Sequence, residues 1–171
     1  MIRTNLHAVS RSQEIAPSLK TQYYVLRRYV FCHHYDVRFA AMDASFEFAE
    51  VDSILRITLS GEMTDAAVMD LWSKGLEVVA SFPSCKSIVN LSGITRFDVS
   101  TNTIVRFAKS HSPDLPARVF VAPKDEIYGM TRMFQVLSES TRKNVHVVRT
   151  MHEAYTLLGV ELPTFVPVNT H

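Results

Sequence analysis

The segment SIVNLSGITRFDVSTNTIVRFAKS (residues 87–110) decides the fold of this chain. It begins with a short apolar strand, residues 87–91, which Ser92-Gly93 interrupts. A loop around Asp98 follows, and an apolar-periodic helix begins after a run of small hydroxyl and amide residues. A strand, a polar loop and a helix N-terminus in this order present backbone N–H groups and hydroxyls on a surface that can receive an anion or a partner. We therefore expect the functional residues in this loop.

A regular alternation of apolar and polar residues lies upstream of this segment. Residues 46–51 and 54–59 both alternate, which predicts an antiparallel hairpin closed by Ser60-Gly61. Thr64 is a suitable N-cap for the next helix, and Pro83 is expected to end it. The predicted core face of this helix consists of apolar residues at helical spacing: Val68, Leu71, Trp72, Leu76 and Val79.

Strands and helices continue to alternate downstream. Residues 118–122 and 144–148 are apolar enough for buried strands, and Pro123 with Asp125 opens a helix between them. Thr150 and Glu153 have the spacing of a capping box for a last helix. The order ββαβαβαβα predicts an α/β fold with a mixed, largely parallel sheet that helices cover through right-handed crossovers.

The patterned sequence is expected to form one domain with an extension at each end. Residues 1–41 are rich in aromatic and basic residues but keep no regular period, so they read as an N-terminal extension. Two alternatives stay open: the extension is poorly ordered or weakly docked, or Met42 is the true start of the protein. The domain itself is expected at 42–162, with an irregular tail at 163–171.

Composition excludes several classes of protein. Lys+Arg 18 against Asp+Glu 17 among 171 residues is too balanced to indicate nucleic acid as the partner. No apolar run is long enough to span a membrane, and the N-terminus lacks the features of a secretory signal, so we expect no stable membrane insertion. The two cysteines, Cys32 and Cys85, fit a reducing compartment. A cytoplasmic location is the expectation.

The element order and the central segment resemble the STAS domain, the fold of bacterial anti-sigma-factor antagonists and of sulfate-transporter tails. The family pattern D-L-S-G-V-x-F-I-D-S-S-G-L corresponds here to NLSGITRFDVSTN at 90–102, and LSGEMT at 59–64 is similar to the family's L-x-G-E-L-T turn. The C-terminal half, with VAP at 121–123 and IYGMTRMF at 127–134, is similar to the SpoIIAA-like bacterial branch. The resemblance covers residues 46–160.

This resemblance implies a non-enzymatic regulatory or protein-interaction module of the bacterial cytoplasm. Its protein partner would bind the loop that contains Asp98, Val99, Ser100, Thr101 and Asn102. In the antagonists the serine directly after the loop aspartate accepts phosphate from a partner kinase, and Val99 holds that position here. Because valine has no hydroxyl, we expect the phosphoserine switch to be absent. Ser100 has a hydroxyl, but a serine at a helix start is more often its N-cap.

A second hypothesis concerns the helix that follows Pro123. The same branch is often grouped with SEC14-like lipid-binding domains, so this helix and the Asp98 loop would line a pocket for a small apolar ligand or lipid. The helix residues expected there are Tyr128, Met130, Arg132, Met133 and Phe134. A pocket beside Asp98 would favour this hypothesis, whereas a flat exposed apolar patch would favour a protein partner.

Catalytic and metal-binding patterns are weak in this sequence. Cys32, His33, His34 and Asp36 lack the usual spacing of metal ligands, and no Gly-rich phosphate loop follows a strand. A Cys85 nucleophile paired with a histidine has no local support. We expect no catalytic residues, no cofactor and no metal ion, and a homodimer is left open.

Overall fold

The computed structural model describes residues 36–39, 42–82, 84–110 and 116–168. All of them belong to one unit of the chain, Cys32–His171. Most of the predicted N-terminal extension, as well as Pro83 and the candidate cluster Cys32–His34, lies outside the described residues.

The described residues form seven strands and four helices. The strands are β1 (Asp36–Phe39), β2 (Met42–Ala49), β3 (Ile54–Thr64), β4 (Lys86–Asp98), β5 (Arg118–Val121), β6 (Val145–Val148) and β7 (Val166–Pro167). The helices are α1 (Asp65–Ala80), α2 (Thr101–Lys109), α3 (Asp125–Ser138) and α4 (Met151–Leu158). The predicted α/β class is confirmed, and strands and helices alternate from β3 to α4.

The sheet is mixed, with its strands in sequence order from β1 to β6. β1, β2 and β3 are antiparallel neighbours, whereas β3, β4, β5 and β6 run parallel. β7 pairs with Glu47 and Phe48 of β2, beyond the residues of β2 that β1 contacts. One edge of β2 is therefore shared between strands from opposite ends of the described chain.

Helices cover both faces of the sheet, but unequally. The larger core cluster lies on one face, where buried residues of α1, α2 and α3 pack against the sheet: Ala67, Val78, Val79, Ile104, Ala108, Ile127 and Phe134. The smaller cluster lies on the other face, where α4 contributes Ala154 and Leu158. Three helices over the long strands define the layer in which the candidate site lies.

The two central strands are longer than the sequence indicates. β3 continues to Thr64 and β4 to Asp98, although the pattern predicts that they end at residues 59 and 91. The added residues pair with each other, from Ser60 opposite Gly93 to Thr64 opposite Asp98. The predicted turn at 60–61 is therefore wrong.

Glycine has another role in this extension. The register of the β3–β4 pair shifts before the Ser60–Gly93 pair and again after the Gly61–Ile94 pair, and Gly61 has a positive φ of 93°. A Cβ atom on Gly93 would lie 2.8 Å from the Leu59 carbonyl oxygen, closer than such atoms approach. The glycine is needed because the two backbones approach each other at a strand irregularity.

Helix starts follow the predicted capping residues. Thr64 accepts a hydrogen bond from the Ala67 N–H at 3.3 Å, and Thr150 accepts one from the Glu153 N–H at 3.1 Å. The Glu153 carboxylate accepts a hydrogen bond from the Arg149 N–H at 2.9 Å. In a standard capping box it would accept from the N–H of the cap residue itself, Thr150. These bonds satisfy N–H groups that the first helical turn leaves unpaired.

The C-terminal segment is docked on the sheet, so the prediction of an irregular tail is wrong for β7 and the residue after it. Val168 is 3% exposed, and its N–H donates to the Phe46 carbonyl at 2.8 Å. The Arg56 guanidinium lies 3.9 Å from the centre of the Phe165 ring. The available signals in the sequence were the apolar residues Phe165 and Val168. Pro163 and Pro167 in the same segment indicated an irregular tail instead.

Candidate ligand cavity

The loop predicted to bind a partner lies at the carboxyl end of β4. Asp98 is the last residue of that strand, and its carboxylate lies 3.4 Å from the Arg96 guanidinium at the surface. Thr101 and Asn102 are exposed in the first turn of α2. Ser100 is the N-cap of α2, and its Oγ accepts from the Thr103 N–H at 3.2 Å.

The same loop joins the starts of two helices. Asp65, the first residue of α1, accepts a hydrogen bond from the Ser100 N–H at 2.8 Å. This backbone bond, together with the Ser100 side chain, holds the pKa of the Asp65 carboxyl below its ordinary value. The loop is therefore fixed against α1 by a charge-assisted hydrogen bond.

Val99 differs from its neighbours because its side chain points into the protein. Residues 98 and 100–102 are exposed, whereas Val99 is 9% exposed and lines a cavity between the sheet and the helices. A valine suits this position because the surrounding lining is apolar, and a hydroxyl there would lose its hydrogen bonds to water.

The five α3 residues predicted for a pocket have different surroundings. Met130 and Phe134 line the cavity. The Tyr128 ring lies 3.9 Å from the Arg149 guanidinium, on another part of α3. Arg132 is exposed, and Met133 packs half-buried against the core. The structure thus brings two of these five side chains together with Val99.

The cavity has a volume of about 150 Å³ and lies between the sheet and helices α1, α2 and α3. Its sheet side consists of apolar residues on one face of β2, β3, β4 and β5: Phe46, Ile57, Leu59, Val89, Leu91 and Phe120. A cavity of this volume can hold a molecule of about the size of benzene.

Helix α1 forms most of the opposite wall. The lining residues recur at helical spacing and include the whole predicted core stripe: Val68, Leu71, Trp72, Gly75, Leu76 and Val79. Trp72 was expected to be a core residue but is only half-buried. Gly75 lies on the same face, and a Cβ atom there would meet nothing within 4 Å. The missing side chain of Gly75 contributes to the open space.

A buried arginine packs against the aromatic residues of the cavity lining. Arg142 is 7% exposed and lies between 5.3 and 5.4 Å from the centres of three rings that line the cavity: Trp72, Phe107 and Phe134. Its guanidinium donates to the Ala108 and Ser110 carbonyls at 2.8 and 3.0 Å. These carbonyls belong to the end of α2, so Arg142 caps that helix while it packs against the rings.

Three described lining residues have polar side chains: Ser87, Arg118 and Thr131. The Thr131 hydroxyl donates to the Ile127 carbonyl at 2.6 Å, so it serves its own helix. Ser87 is 1% exposed, and its Oγ has no hydrogen-bond partner among the described residues. Ser87 and Arg118 are direct neighbours across β4 and β5. The cavity therefore has a polar end, at the amino ends of these strands and away from Asp98.

Burial shapes the charge state of this polar end. Burial, together with the charge of Arg142, lowers the pKa of the Arg118 guanidinium to about 10. Arg118 still carries its charge at neutral pH. The nearby Cys85 thiol is buried, and burial raises its pKa to about 11, so it is not a thiolate nucleophile at neutral pH.

The described residues contain no group of three or more His, Cys, Asp or Glu side chains placed to hold a metal ion. Within the same part of the chain, no helix is long and apolar enough to cross a membrane.

Sequence reasoning missed Ser87, Arg118 and Gly75 as site residues. Ser87 reads as the start of an apolar strand, and Arg118 opens the next strand. The available signal was a polar residue at the start of each of two neighbouring buried strands, because such positions face the same side when the strands are in register. Gly75 has no side chain, so a pattern of apolar residues does not mark it.

Comparison with known proteins adds no family assignment. No protein-family model matches the chain, and no curated protein matches it significantly. The STAS-like and SpoIIAA-like relation therefore stays a prediction from the motifs.

Proposed function

We propose that this protein is a non-enzymatic binding domain for a small, largely apolar molecule. The observation that carries the proposal is the cavity of about 150 Å³ beneath α1, with a lining that is apolar except at one end. Protein interiors are normally packed with few voids larger than a water molecule, and an empty apolar cavity costs stability. A ligand that fills this space recovers the lost contacts.

Of the two sequence-based hypotheses, the cavity favours the apolar-ligand one. Val99, Met130 and Phe134 line the cavity, as expected for a pocket formed by the Asp98 loop and helix α3. The volume indicates a small molecule of roughly benzene size, and a whole lipid would require the helices to move. Protein partnership through residues 98–102, and a homodimer, stay predictions because no contact of this loop favours a particular partner.

The inward position of Val99 supports the absence of a phosphoserine switch. Its side chain is 9% exposed, so a kinase would meet a buried residue at this position as well as the wrong side chain. The STAS-like assignment and the bacterial cytoplasmic setting remain part of this proposal. They rest on the motif resemblance alone.

Trp72 provides a direct test because it is the single tryptophan of the chain and lines the cavity. Benzene titrated into the full chain should shift the Trp72 emission to shorter wavelength and raise the melting temperature. Gly75→Leu, which places a side chain on the cavity-lining face of α1, should abolish both effects.

Gly129→Leu is the matched control for this experiment. Gly129 also lies within a helix with nothing within 4 Å of an added Cβ, but it is exposed and does not line the cavity. This variant should respond to benzene as the unmodified chain does. Equal responses of the two variants, or no response of the unmodified chain, would contradict ligand binding in this cavity.

A further inference from the structure

We propose that the occupant of the cavity is a small organic anion, a carboxylate with an apolar tail, whose head group binds Ser87 and Arg118 while its tail fills the apolar part. This inference rests on the proposed function and adds the chemical class of the ligand. Two polar side chains lie at one end of an otherwise apolar lining.

Ser87 is the first of these side chains. Its Oγ is buried within a residue that is 1% exposed, and the described residues offer it no hydrogen-bond partner. A buried hydroxyl without a partner is costly, and most such groups in proteins are paired. Because Ser87 lines the cavity, a ligand oxygen is a natural acceptor for its hydroxyl.

Arg118 provides the charge. It lies directly beside Ser87 in the parallel register of β4 and β5, so both side chains project from the same face of the sheet into the cavity wall. A guanidinium has five N–H donors, so it can bind a ligand in addition to its contacts within the protein. Its planar geometry matches a carboxylate, which can accept two of these N–H groups at once.

The local electrostatics also favour an anion. The charge of Arg142 is close enough to lower the pKa of Arg118, which means that two cations influence each other in a partly desolvated setting. A negative head group would offset this repulsion. The remaining lining, from Phe46 to Phe134, suits a short hydrocarbon tail or a single ring.

The test compares hexanoate with 1-hexanol, which have tails of the same length and differ in the charge of the head group. Binding of each probe to the full chain is measured by titration calorimetry and by Trp72 emission. We expect hexanoate to bind about tenfold or more tightly than 1-hexanol, since hydrogen bonds to charged groups are the stronger ones. If no cation were at the site, 1-hexanol would bind more tightly than hexanoate, because burying the carboxylate charge without a partner is costly.

Two variants assign the head-group site. Arg118→Met should remove the preference for hexanoate but leave 1-hexanol binding within about threefold, because the tail contacts remain. Ser87→Ala should weaken hexanoate about tenfold without lowering the melting temperature, since the hydroxyl it removes has no partner in the free protein. Arg96→Met, which removes an exposed cation outside the cavity lining, should change neither affinity.

The outcomes separate this inference from the proposed function. If neither probe binds the unmodified chain, both fail. If both probes bind with equal affinity, or if Ser87→Ala and every folded Arg118 variant keep the preference for hexanoate, the cavity binds apolar molecules but the assignment of an anion is wrong. A fall in melting temperature for Ser87→Ala would show a structural role for the hydroxyl and would also overturn the assignment.

Discussion

At the level of single residues, Gly93 shows that a Ser-Gly pair can mark either a turn or a close approach of two strands. The pairs Ser60-Gly61 and Ser92-Gly93 both look like turns, yet they lie in neighbouring strands where the register shifts. Glycine permits turns, but it also permits two backbones to approach closely, and sequence alone does not distinguish these uses.

We predict that Gly93→Ala destabilises the protein by about 2 kcal/mol or more, because the added Cβ would lie 2.8 Å from the Leu59 carbonyl oxygen. Gly129→Ala is the control, since its Cβ meets nothing within 4 Å and alanine favours a helix by about 1 kcal/mol. Urea unfolding measures both variants. Similar stabilities for the two variants would show that Gly93 lies in an ordinary strand.

Cys85 is a second residue whose surroundings lead to a measurable effect. Burial raises the pKa of its thiol in the folded protein to about 11, from an ordinary value of 9.0. As the pH rises through this window the unfolded chain loses its proton first. The contribution of the buried, protonated thiol to the free energy of unfolding is therefore complete below pH 9.0 and is lost as the pH rises to about 11.

We predict that the free energy of unfolding falls by about 2 to 3 kcal/mol more in the unmodified chain than in Cys85→Ala over this range. The two proteins differ only at residue 85, so the difference between the two curves isolates the thiol. Urea unfolding at a series of pH values measures it. Parallel curves would mean that the thiol is accessible to water.

At the scale of elements, the repeated strand–helix units were predictable and the edge strands were not. The hairpin, the three parallel crossovers and the caps at Thr64 and Thr150 follow from local periodicity and side-chain chemistry. β1 and β7 are short, and their pairing with β2 is set by tertiary contacts. The predicted boundary between residues 41 and 42 falls between two hydrogen-bonded strands, β1 and β2.

The docked C-terminal segment should be a structural part of the domain. We predict that Val168→Ala costs about 2 kcal/mol, because its side chain is 3% exposed within the larger core cluster. Val51→Ala is the matched control, since Val51 is 97% exposed in the loop between β2 and β3, and it should leave stability within about 0.5 kcal/mol. Thermal unfolding compares the two variants. Equal melting temperatures would place Val168 outside the cooperative core.

At the scale of the whole molecule, three helices over one face of a mixed sheet leave a space that the sequence pattern does not reveal. Periodicity shows which side of α1 faces the sheet, and that prediction is confirmed for Val79. It does not show how far apart the two layers lie, because the separation depends on all facing side chains together. Gly75 and the half-buried Trp72 both line the cavity, but neither residue indicates the space from the sequence alone.

The central claim is that this space exists in the folded protein and accepts an apolar guest. The most direct measurement is a crystal structure of the full chain under xenon pressure, because xenon enters dry apolar cavities. We predict a xenon site enclosed by Phe46, Trp72 and Phe134, which is lost in Gly75→Leu. A structure in which α1 packs directly onto the sheet, with no xenon at this place, would contradict the account.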